Sequence, residues 1–94
     1  MAMKIFRESD NIYDAVDSVV EHGVAVLAGT PTIAERHGRA IIARLKPYED
    51  IAPHISYHNV PCNGNFYYVY DCNRFSCGDE KLKAIVEMVD SRIG

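Results

Sequence analysis

From Met3 to Cys72 the apolar positions change period several times, and each change predicts an element. Met3 to Arg7 is a short candidate strand. Ser9-Asp10-Asn11 then offers N-cap side chains, and Ile12, Ala15, Val16, Val19 and Val20 share one helical face with Tyr13 at its edge. Asp14, Asp17, Ser18 and Glu21 fall on the other face, and Gly23 suits the left-handed position that closes such a helix. Val24-Ala25-Val26-Leu27-Ala28 is apolar on both sides of a pleat, which predicts a buried central strand. Thr30 before Pro31 starts a second helix that runs to about Lys46 and ends at Pro47. Ile33, Ala34, Ala40, Ile41, Ile42 and Leu45 give this helix a wide apolar arc, and His37, Gly38 and Arg44 fall inside it. Gly38 there permits close backbone approach.

Between His54 and Cys72 two β-rich runs flank Asn63-Gly64, the preferred pair for a two-residue hairpin turn. That loop length sets His58 opposite Val69 and Ser56 opposite Asp71. Ile55, Tyr57, Asn59, Phe66, Tyr68, Tyr70 and Cys72 then share one face, and His54, Ser56, His58, Val60, Cys62, Tyr67, Val69 and Asp71 the other. A last helix follows Ser76 to Asp79, with Leu82, Ile85, Val86, Val89 and Ile93 on a narrow stripe. The order is βαβαββα in one domain covering 1–94. It predicts an α/β (α+β mixed) fold: a four-stranded mixed sheet, its first two strands parallel and its last two antiparallel, with helices packed on it.

This order, with Pro53 before the third strand and a tight hairpin before the fourth, resembles the thioredoxin-like fold of glutaredoxins. The resemblance implies that fold alone. The redox motif of that family would follow the first strand, where this chain reads Glu8-Ser9-Asp10-Asn11.

Composition narrows the functional classes. Apolar residues are 48% and charged residues 24%, an ordinary globular balance over 94 residues. Ten Lys and Arg against thirteen Asp and Glu give a net charge of −3, which argues against a general nucleic-acid binder. Three cysteines, an N-terminus without an apolar leader segment and no long apolar run predict a reduced, cytoplasmic protein with no membrane partner.

No residue set fixes a reaction, so an enzyme is the less favoured reading and no cofactor is expected. His58, Cys62, Cys72 and Cys77 are zinc-ligand types, but no Cys-x-x-Cys pair exists and no metal is expected. His54, Ser56, His58 and Asp71 contain a nucleophile, a base and an orienter. A mid-strand serine lacks the turn that supplies oxyanion donors. His37 reads as a core or boundary histidine. Gly29, Thr30, Thr32 and Arg36 form a candidate anion site at a helix start. Arg36, Arg39 and Lys46 make a basic edge on the second helix. Tyr57, Tyr67, Tyr68 and Tyr70 exceed what one core face needs, so some are expected at an interface, Tyr67 and Tyr68 first.

The favoured function is a non-enzymatic protein-binding module, an inhibitor, adaptor or regulator. Its contact residues are those four tyrosines with Arg36 and Arg39, and a homo-oligomer is compatible with it. The alternatives are a small-ligand or phosphate-binding protein using the Thr30 helix start, and a single-stranded nucleic-acid binder using tyrosine stacking.

Overall fold

A computed structural model describes residues 5–61, 65–75 and 80. Strand β1 (Ile5–Phe6) leads through a turn to helix α1 (Ile12–His22), strand β2 (Val24–Ala28) and helix α2 (Pro31–Arg44). A single 3-10 turn, Ala52–His54, precedes strands β3 (Ile55–Pro61) and β4 (Asn65–Asp71). Together they make the expected α/β arrangement, a four-stranded mixed sheet with two helices packed on it. The predicted closing helix and the Asn63-Gly64 turn lie outside the described residues.

Local chemistry sets the element ends. Asn11 caps α1, its side chain accepting from the Tyr13 N–H at 3.0 Å. Gly23 ends α1 at φ +84°, and its N–H donates to the Val19 carbonyl. A Cβ there would lie 2.6 Å from Arg74 Cδ, so both the backbone and the packing select glycine. Thr30 caps α2 ahead of Pro31, and its Oγ1 accepts from the Ile33 N–H.

The sheet order is β1-β2-β4-β3. β1 and β2 are parallel, and β4 runs antiparallel to both β2 and β3. β2 is therefore interior, as its unbroken apolar run predicts, and Val24 through Leu27 are fully buried. β4 is interior too, because it reads Phe-Tyr-Tyr-Val-Tyr. β3 alternates polar residues and ends in Pro61, which suits an edge.

The hairpin register differs from the two-residue expectation by one place. Ile55 pairs with Asp71, Tyr57 with Val69, His58 with Tyr68 and Pro61 with Asn65. Three residues, 62–64, join the strands instead of two, and one added loop residue exchanges the face partners of β3. Tyr57 now shares a face with Tyr67 and Val69, while Ser56 and His58 share one with Tyr68 and Tyr70.

The helices pack on the Tyr57 face. Phe6, Ala25, Leu27, Tyr67 and Val69 meet Ala15, Val16 and Val19 of α1 and Ala34 and Ile41 of α2 in one core cluster, which Leu45 just beyond α2 joins. Ile5, Val24, Val26, Tyr68 and Tyr70 on the other face are buried as well. Each large apolar side chain so removed from water contributes about 1.5–3 kcal/mol. Ser18, expected on the polar side of α1, is instead buried. Its hydroxyl donates to the Val24 carbonyl at 2.8 Å, tying the helix to the strand it precedes.

The closest approach in the fold lies at Gly38. A Cβ there would come within 2.6 Å of Tyr57 Cδ2. The Tyr57 ring cannot withdraw freely, because it stacks on Tyr67 with centroids 5.9 Å apart and planes 6° from parallel. Overpacking such a site costs about 1–3 kcal/mol, and the better helix propensity of alanine returns about 1 kcal/mol. Gly38→Ala is expected to lower stability by a net of up to ~2 kcal/mol, and the loss should vanish in a Tyr57→Leu background. Urea unfolding of the two single variants and the double variant measures this coupling; the same Gly38→Ala effect in both backgrounds would contradict it.

Candidate functional site

The sequence-selected residues fall into three regions of the fold. Most hairpin tyrosines are core residues: Tyr67 is 4% exposed, Tyr68 0% and Tyr70 4%. The expectation that Tyr67 and Tyr68 are the exposed pair is therefore corrected. The physical reason is the interior position of β4, which places its successive side chains against a covered face on either side. Tyr57 is half-buried, and its hydroxyl has no hydrogen-bond partner among the described residues. Burial, with smaller contributions from Tyr67 and Glu35, pushes its pKa up to about 12.

The polar set His54, Ser56, His58 and Asp71 is not assembled. The observed register puts Asp71 on the Tyr57 face and Ser56 with His58 on the other. Asp71 works as a turn residue: its Oδ1 accepts from the Asn73 N–H at 2.9 Å. Its own N–H donates to the Gly23 carbonyl. Cys72 is an exposed free thiol, and Cys62 and Cys77 lie outside the described residues. Among the described residues, no three His, Cys, Asp or Glu side chains are grouped to hold a metal ion. No helix among them is long and apolar enough to cross a membrane.

The start of α2 is largely committed to its own capping. Pro31 has no N–H, Thr30 Oγ1 takes the Ile33 N–H at 3.3 Å, and the Ala34 N–H donates to the Thr30 carbonyl at 2.8 Å. Gly29, Thr30 and Thr32 are exposed there. Arg36, the cation proposed to assist, instead grips Glu8 through two hydrogen bonds, Nε to Oε2 at 2.7 Å and Nη2 to Oε1 at 2.8 Å. This pairing holds the Glu8 carboxyl below and the Arg36 guanidinium above their usual ranges. Arg39 pairs with Glu35 one turn earlier at 2.8 Å. Two members of the basic edge of α2 thus carry their own counterions.

The residues that sequence reasoning missed lie on the helical side. Tyr13 is 60% exposed and Tyr48 40%, the exposed large apolar side chains among the described residues. The Arg44 guanidinium sits over the Tyr13 ring, 5.8 Å from its centroid, and donates back to the Ala40 carbonyl at 3.2 Å. Tyr48 stands in successive turns: its N–H donates to the Leu45 carbonyl, and its carbonyl accepts from Ile51 and Ala52. The available signal was the position of Tyr13 at the edge of the apolar stripe, with Arg44 displaced into the arc of α2.

Compared with family models, curated proteins and solved structures, the chain matches none.

His37 is a buried titratable group of this side. It is 4% exposed, and neither ring nitrogen has a hydrogen-bond partner among the described residues. Burial lowers its pKa, against an opposing pull from Glu8 and then Asp10. A histidine whose folded pKa lies below its unfolded value of about 6.5 binds fewer protons when native. Its stabilising contribution is full above pH ~6.5 and is lost as the pH falls below that value. The expected signature is a fall in unfolding free energy from pH 6.5 towards pH 5, with a slope of at most about 1.4 kcal/mol per pH unit from this group. His37→Phe should flatten that part of the profile. Urea titrations across this range measure it, and an unchanged slope in the variant would remove His37 as the cause.

Proposed function

We propose that this chain is a protein-binding module, with the roles of inhibitor, adaptor or regulator open to it, and that it contacts its partner through the helical side. One observation carries the reading: Tyr13 and Tyr48 leave large aromatic area in solvent while Tyr67, Tyr68 and Tyr70 of the hairpin are buried. Tyrosine and arginine are the residue types that dominate binding energy at interfaces, because they bury much area at modest entropy cost. Arg44 over Tyr13 supplies both types in one contact. An interface of standard size takes about 800 Å² from each partner, which a domain of this size can supply.

A photo-cross-linking residue at position 13 or 48 is expected to capture one stoichiometric protein, a second copy of the chain included among the outcomes. With that protein in hand, Tyr13→Ala and Tyr48→Ala are each expected to weaken binding at least tenfold. Their melting temperatures should stay near wild type, since both side chains are exposed. Affinity unmoved by both substitutions would reject the helical side as the contact face. Copurification of a nucleotide or an RNA in place of a protein would reject the class.

A further inference from the structure

Between the C-terminal end of α1 and the turns at 47–51 lies an open groove of about 590 Å³, within the range of ~300–1,000 Å³ usual for binding pockets. Val20 and Ile51 form its partly buried apolar surface, both packed against the core, and the exposed Pro47 and Tyr48 extend it. Its shape is fixed by backbone hydrogen bonds of 2.8–2.9 Å through 48–54.

Charge at the rim is asymmetric. Glu49 and Asp50 line the groove, are exposed and enter no ion pair among the described residues. Arg74, the lining cation, is already engaged: its Nη1 donates to the Glu21 carbonyl at 3.1 Å, and its Nε lies 3.9 Å from Asp71 Oδ2. The two segments that wall the groove, 12–22 and 46–51, carry five carboxylates against one lysine. The C-terminal end of α1 adds the negative pole of a helix dipole.

Resting on the protein-binding reading above, we propose that this groove docks a partner segment in which an apolar side chain is flanked by lysine or arginine. The apolar residue fills the Val20–Tyr48–Ile51 surface, and its basic neighbours meet Glu49 and Asp50. An acidic or uncharged segment of the same shape gains no such attraction, so the rim selects by charge.

The test is selection of phage-displayed random peptides on the intact protein, followed by affinity measurements with the recovered peptides as synthetic probes. The expected winners combine an aromatic or aliphatic residue with adjacent Lys or Arg and lose affinity as salt rises. Tyr48→Ala is expected to weaken them tenfold or more, and the charge reversal Glu49→Lys with Asp50→Lys to do the same, with unchanged circular dichroism. Amide shifts on binding should centre on Val20 and Ile51. Winners that are acidic or neutral, or that ignore both variants, would overturn the groove proposal and leave the module reading standing. If no peptide binds and the cross-linkers at 13 and 48 capture no protein, both fail together.

Discussion

The antiparallel pairing of β2 with β4, Val24 against Tyr70 through Ala28 against Phe66, is the constraint on which the rest of the molecule depends. It joins the two segments that have the longest apolar runs, so the centre of the sheet is apolar on both faces. β1 is then held on one side by its parallel ladder to β2, and β3 is left at the opposite edge, where Pro61 and the polar alternation of Ser56 and His58 are tolerated. The same pairing draws the turn after β4 over the end of α1. There Asp71 bonds Gly23, and Arg74 reaches the carbonyl of Glu21.

The burial of Tyr67, Tyr68 and Tyr70 follows from that arrangement and changes the functional reading. A tyrosine in an edge hairpin has one face free for a partner. A tyrosine in a central strand is used up in packing, and its area is no longer available for binding. What is left for recognition is the aromatic area that the sheet does not need: Tyr13 at the border of α1 and Tyr48 in the turns after α2. Both lie on the side of the molecule where the core is closed by helices.

Electrostatics shift in the same direction. In the chain, residues 30–46 are the basic segment, and Arg36 and Arg39 mark it as a field-bearing edge. In the fold, Glu8 neutralises Arg36 and Glu35 neutralises Arg39. The carboxylates of α1 and of the 49–50 turn have no comparable arginine partners among the described residues. Solvent screening keeps exposed pairs weak contributors to stability, but pairing still cancels the local field a partner would sense.

Element order, helix caps, the parallel and antiparallel pairs and the central place of β2 were determined by local signals: Asn11, Gly23, Thr30-Pro31 and the run from Val24 to Ala28. These act within a few residues along the chain, so turn chemistry and periodicity express them directly. The interior place of β4 was decided by its pairing with β2: the apolar run from Phe66 to Tyr70 suits a covered strand, but Tyr67 and Tyr68 suit an interface equally until β2 lies beside them. The hairpin register, the burial of Ser18 and the coupling of Gly38 to the Tyr57–Tyr67 stack were decided only by the tertiary structure. Each depends on which surface is brought against which. A single loop residue moves every cross-strand partner of β3, and no local preference distinguishes the two outcomes strongly. The same holds for the exposed aromatic surface. Whether a tyrosine packs or waits for a partner depends on whether something else in the fold already covers it, and that is a property of the assembled molecule.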